Sequence, residues 1–190
     1  IVEITLTVRT KDSTIIPTFP TRDQIVESLF KGDFYGALRK LHVGDIIKLD
    51  IGACYEGYHG DSAWTYPVGR ISKEKEYLLK HTEESLYKGL EVIKAGVRIG
   101  DIGNAIESYA NEHNLGVIRE LVGHGVGTDV HEEPDVPNYG KKGTGIILQE
   151  GMVIAVEPML NLGSREVEML DDNWTIVTKD CSPSAHFEHT

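Results

Sequence analysis

Apolar and polar residues alternate along residues 1–10 (IVEITLTVRT), the period-two pattern of a half-buried strand. The next ten residues hold Pro17 and Pro20 and read as a connection. Thr21-Arg22-Asp23-Gln24 has the form of a capping box, opening a helix over Ile25, Val26, Leu29 and Phe30 that Gly32-Asp33 interrupts. Residues 45–55 and 58–68 alternate again and predict two strands joined by a tight turn at Glu56-Gly57. If those two residues form the turn, Tyr55 opposes Tyr58, Asp50 opposes Ala63, and Asp61 opposes Gly52. The pattern then changes to helical spacing. Ser72 caps a long helix with its apolar face on Leu78, Leu79, Thr82, Leu86, Leu90 and Ile93, ending at Ala95-Gly96. A second helix runs from about Asp101 to His113 over Ile102, Ala105, Ile106 and Tyr109. Strand patterns follow at 116–122, 152–157, 173–178 and 184–190, with glycine-rich loops between them. The sum is an α+β fold, with helices collected on one side of an antiparallel sheet.

Bulk properties narrow the function. With 190 residues, 40% of them apolar, the chain suits a single domain with a sizeable core. The formal charge of −11, with no stretch concentrating Lys and Arg, argues against nucleic acid or an anionic membrane surface as a partner. No run approaches the roughly 20 apolar residues of a membrane helix. Two cysteines, Cys54 and Cys181, exclude a disulfide framework, and a reducing cytoplasm is the expected location.

Four segments carry candidate chemistry. In the hairpin register above, Asp50 and Asp61 are diagonal neighbours on one face, with Cβ atoms about 7 Å apart. Two carboxylates at that distance repel unless a positive group lies between them, and Asp is depleted in strands. Gly123-His124-Gly125-Val126-Gly127 surrounds a histidine with three glycines, and His131 follows in His131-Glu132-Glu133-Pro134. Glu157 closes the apolar run Met152–Val156, so it is expected to be buried, where a carboxylate needs a cation or donors. A salt bridge to Arg119 or Arg165 is the plainer reading. Glu188 lies between the aromatic and imidazole rings of Phe187 and His189. Together, four carboxylates and one imidazole suit a pair of divalent ions such as Mn, Fe, Co or Zn.

Asp50 within KLDIGA, Asp61 within YHGDSAWTYPVG, His124 within GHGVG, His131 within HEEP, Glu157 within AVEPML and Glu188 within HFEHT together resemble the methionine aminopeptidase signature, in order and spacing, from about Leu41 to Thr190. The resemblance implies a pita-bread fold and a two-metal hydrolase that removes N-terminal methionine from peptides or nascent chains. By similarity, Asp50 and Asp61 hold one metal and His124 with Asp61 the other. Glu157 joins the His124 metal and takes the proton of the attacking water, while Glu188 bridges the pair. His131 would donate to the substrate carbonyl, and Trp174 matches a position lining the side-chain pocket. His186 and His189 are read as structural residues facing away from Glu188, and Cys54 as a packing residue.

The same resemblance exposes departures. The region preceding the KLDIG-like segment in such proteins, including a histidine in a V-H-G motif, has no counterpart in residues 1–40. Relatives run on past the equivalent of EHT into a strand like Ile1-Val2-Glu3-Ile4-Thr5. The expected organisation is therefore a circular permutant, with 1–18 a relocated terminal strand and tail, 19–40 a new bridging helix, and 41–190 the family-like core. It requires Thr190 and Ile1 to lie end to end on one split strand. An opened cleft, weakened methionine selectivity and a loosely held Glu188 are expected with it. The chain is expected to be a monomer, with a strand-exchanged dimer as the alternative. Competing readings are a minimised scaffold that binds metal without turnover, a non-catalytic peptide-binding module, and a proline-specific aminopeptidase.

Overall fold

The computed structural model describes the backbone of residues 2–9 and, in full, residues 41–171 and 175–190. The helix expected near residue 21, the bridging segment 19–40 and Trp174 lie outside the described residues. Strand β1 (Val2–Arg9) pairs in parallel with β2 (Ile46–Tyr55), which pairs antiparallel with β3 (Tyr58–Pro67). The hairpin register is the one its turn predicts: Tyr55 opposes Tyr58, Gly52 opposes Asp61, and Asp50 opposes Ala63. Glu56 and Gly57 both adopt positive φ, 50° and 86°, which matches the right-handed twist of the flanking strands.

Helix α1 (Lys73–Glu91) starts at Ser72, whose hydroxyl accepts from the Lys75 N–H at 3.4 Å. It ends at a Val92 cap, before the expected Ala95-Gly96. Helix α2 (Ile99–Glu112) starts two residues before Asp101, because the Asp101 carboxylate accepts from the Arg98 N–H at 3.0 Å and so closes the first turn. The two helices pack together at Gly89, where an added Cβ would come within 2.9 Å of the Ile106 side chain. Helix α1 also rests on the C-terminal part of the chain, so both helices lie on one side of the sheets as expected. The core joins Leu78, Leu86, Ile102 and Ile106 to Val156, Leu160 and Phe187. Burying a side chain of this size contributes roughly 1.5–3 kcal/mol. Trp64 meets the Phe187 ring edge-on at 4.7 Å, which ties the hairpin to the last segment.

Beyond α2 the strands are shorter than the pattern predicts. Strand β4 covers only Gly116–Val117, because the chain bends at residues 119–121. Strands β5 (Gly123–Gly125) and β6 (Glu132–Val136) form a separate pair. The expected strand at 152–157 does not form a ladder: Ala155 N–H donates to His124 O at 2.7 Å, but Val156 N–H donates to His189 O at 3.0 Å. Its backbone groups are divided between two neighbours, which leaves isolated bridges. Met152 and Val153 at its start are exposed. Strand β7 (Met159–Asn161) follows Pro158 and pairs with β4 and with β10 (Ser184–His186), and β8 (Val167–Met169) pairs with β9 (Ile176–Thr178).

The segment ending at Thr190 lies along β3, not along β1. The Thr65 hydroxyl donates to His186 O at 2.7 Å and accepts from His186 N–H at 3.0 Å. Glu188 N–H donates to Ala63 O at 2.8 Å, and the Thr190 hydroxyl exchanges bonds with the backbone of Asp61 at 2.7 and 2.9 Å. Strand β1 occupies the opposite edge of β2, where Val2 pairs with Ile47. Among the described residues, β1 and the segment ending at Thr190 therefore lie on opposite edges of the β2–β3 ribbon; Ile1, which the split strand would join to Thr190, lies outside the described residues. These same bonds engage the backbone at and beside Glu188.

Candidate metal centre

Five separate stretches of chain bring acidic and imidazole groups to one face of the hairpin. On β2 and β3, Asp50 and Asp61 point to the same side, with Gly52 directly opposite Asp61. A Cβ there would sit 3.7 Å from the Asp61 carboxylate and 3.5 Å from Val130. Glu188 arrives from the segment laid along β3. His124 comes from β5 and Glu157 from the extended stretch bridged to it. Three overlapping trios result, Asp50–Asp61–Glu188, His124–Glu157–Glu188 and Asp61–His124–His131, each offering ligand atoms within 4.8 Å of one another.

The glycines around His124 act by close approach. None of the three has positive φ, yet a Cβ on Gly123 would lie 2.3 Å from Ala155 O, and one on Gly125 2.3 Å from Glu133 O. They let backbones on both sides pack against the histidine strand.

The imidazole is oriented by its own turn. His124 Nδ1 lies 2.9 Å from Gly125 O, and a carbonyl only accepts, so Nδ1 carries the proton. Nε2 then faces Glu157 Oε1 at 3.5 Å and Asp61 Oδ2 at 4.0 Å. Carboxylates converging on one imidazole nitrogen repel one another, and a divalent cation between them removes that repulsion. Glu188 carries the same message. Burial, reinforced by Glu157, Asp61 and Asp50, pushes its carboxyl up to about 10. A proton occupies that carboxyl where no cation does. The donor set, carboxylates and imidazole without thiolate, fits manganese, cobalt, iron or zinc.

His131 stands at the exposed edge, its ring 4.1 Å from that of His124. Burial, and then the charge of His124, lower its pKa. Arg119, one of the two arginines weighed as a partner for Glu157, pairs with Glu107 at 2.6 Å. His186, read from sequence as turned away from Glu188, is not. Residues two apart in an extended segment share a side. Its Nε2 lies 3.2 Å from Glu157 Oε2 without hydrogen-bond alignment, and burial, followed by the charge of Lys48, holds its pKa well below the ordinary value. Lys48, also on the cluster's face of β2, was not singled out by sequence. Its nearness to Asp50 follows from period-two alternation alone.

Comparison with known proteins agrees with this geometry. The profile of metallopeptidase family M24 matches residues 21–190. Methionine aminopeptidase 1 of Bacillus subtilis is 57% identical over 152 residues, covering 80% of this chain and 61% of that protein. The crystal structure of methionine aminopeptidase from Thermotoga maritima superposes with a TM-score of 0.78 at 44% identity, again covering 80% of this chain and 61% of that one. Prolidase from Pyrococcus furiosus, 22% identical with a TM-score of 0.61, shares the fold; it covers 79% of this chain and 39% of that one. The chain thus spans about three-fifths of the methionine aminopeptidases it matches. Its fold is the pita-bread arrangement of these peptidases, and the chain belongs to metallopeptidase family M24.

Proposed function

We propose that this chain carries the catalytic centre of a metal-dependent aminopeptidase that removes N-terminal methionine from peptides and nascent chains. The observation that carries the reading is the convergence of Asp50, Asp61, His124, Glu157 and Glu188 on one cluster, with Nε2 of His124 facing carboxylates. The relatives at 57% and 44% identity, named methionine aminopeptidases, support the substrate class. Residues 41–190 form the catalytic unit in this reading.

Two divalent ions (Co, Mn, Fe or Zn) would be held, one by His124, Glu157, Glu188 and Asp61, the other by Asp50, Asp61 and Glu188. Such a pair lowers the pKa of a water and polarises the scissile carbonyl. The protein's own groups do the rest. Glu157 accepts the proton of the attacking water on its carboxylate. His131, kept neutral near pH 7 by its lowered pKa, donates an N–H to the substrate carbonyl oxygen as negative charge builds there. With ions bound, a substrate's free α-amino group would find a ligand position there, which would confine cleavage to the first residue. Trp174 lines the pocket for the methionine side chain in this reading.

The test is to strip metal with a chelator, then titrate Mn or Co back while following cleavage of a Met-Ala-Ser peptide. Cleavage is expected to vanish on stripping, return with the ion and be abolished by Glu157→Ala. Ion binding with no cleavage at any metal concentration would replace the enzyme by a metal-binding scaffold.

A further inference from the structure

Lys48 places a positive charge where the strand pattern gives no reason for one. It lies between Ile47 and Leu49 in β2 and is only 8% exposed. Alternation sets it on the same face as Asp50, opposite Thr65, whose hydroxyl grips the backbone of His186. Its Nζ reaches to 4.0 Å from Asp50 Oδ2. Its charge also acts on Glu188, against the burial and the neighbouring carboxylates that raise that group. Burial strips water from an ammonium, so its field is screened far less than that of a surface lysine. The mechanism above gives it no task.

A divalent cation among Asp50, Asp61 and Glu188 enters close to this like charge. It also competes with the ammonium for Asp50. A cation held through His124 and Glu157 draws on ligands from the other end of the cluster. Resting on the metal reading above, we propose that Lys48 is an affinity-setting residue, whose ammonium beside Asp50 weakens cation binding at the Asp50 end of the cluster and leaves the His124 end far less affected.

The experiment titrates manganese(II) into chelator-stripped protein by calorimetry, with electron paramagnetic resonance counting the free ion. Lys48→Met keeps the length and apolar stem and removes the charge; Lys48→Gln is a second neutral variant, and Lys48→Arg keeps the charge. Both neutral variants are expected to tighten the weaker binding step by about tenfold or more, with the stronger step moved by no more than about twofold. Lys48→Arg is expected to stay near the wild type, which a purely packing role would not produce. In an Asp50→Asn background one step remains, and Lys48→Met should leave it in place. Equal tightening of both steps, an unchanged weaker step in both neutral variants, or a full effect surviving Asp50→Asn would overturn the proposal while leaving the metal centre standing. A wild-type chain that takes up no manganese would overturn the metal reading as well.

Discussion

The Nε2 atom of His124 and the Oε1 atom of Glu157 face each other across 3.5 Å, in a cluster where Glu188 is only 2% exposed. A folded chain tolerates such a meeting of acceptors by keeping protons there or by exchanging them for a cation. Both routes have measurable consequences.

The first is in stability against pH. In the unfolded chain Glu188 loses its proton near its ordinary value, whereas in the ion-free fold it keeps it to about 10. Between those values the folded state binds more protons, so stability falls as pH rises. His131 and His186, with lowered pKa values, act in the opposite sense, but only at and below the ordinary histidine range. From about pH 7 to 9.5 the Glu188 effect is therefore uncontested by them. Thermal melts of the chelated protein should show a falling melting temperature over that window, and saturating manganese should flatten the slope. A melting temperature that rises with pH in the chelated protein would contradict the assignment.

Metal uptake should release protons. At pH 7.5 the Glu188 proton must leave when a cation takes its place. Calorimetric titrations in buffers of differing ionisation enthalpy should give about one proton released per chain, from the slope of heat against buffer enthalpy. A slope of zero would mean that Glu188 is not among the ligands.

Replacing His131 by Ala should separate turnover from binding. Loss of a donor to a developing oxyanion costs roughly 10²–10³ in kcat. Metal content by mass spectrometry should stay close to that of the wild type, because His131 stands at the exposed edge. If metal content falls in parallel, the trio Asp61–His124–His131 is itself a ligand set.

The Thr65 hydroxyl serves both backbone groups of His186 in a buried position. Thr65→Val preserves shape and leaves an N–H and a C=O without that partner, at a cost of roughly 1–3 kcal/mol. Urea unfolding should register the loss. Ser62→Ala, which removes one partly buried bond to Glu188 O, should cost less.

What could be read from the sequence follows from how local its determinants are. Glu56-Gly57 is a turn that fixes register, so the Asp50–Asp61 diagonal followed from counting alone. Burial of Glu157 followed from the apolar run before it. The division of residues 152–157 between two neighbours was not legible, since apolar content does not say where each N–H goes. Parallel pairing of β1 with β2 depends on long-range contacts that alternation leaves open. His186 was within reach: its parity with Glu188 marks it as a neighbour of the cluster. Lys48 was not, because its role depends on what covers that face of β2.

The hydroxyls and carbonyls of β3 that receive the last segment, at Thr65, Ala63, Ser62 and Asp61, form a docking rail. The rail exists once a short hairpin closes, while its passenger must return across a separation of 126 positions, between Ser62 and Glu188. Short closures precede long ones. By that order the aspartate half of the cluster forms before Glu188 reaches it, and the ligand set is complete only when the segment around Glu188 has docked.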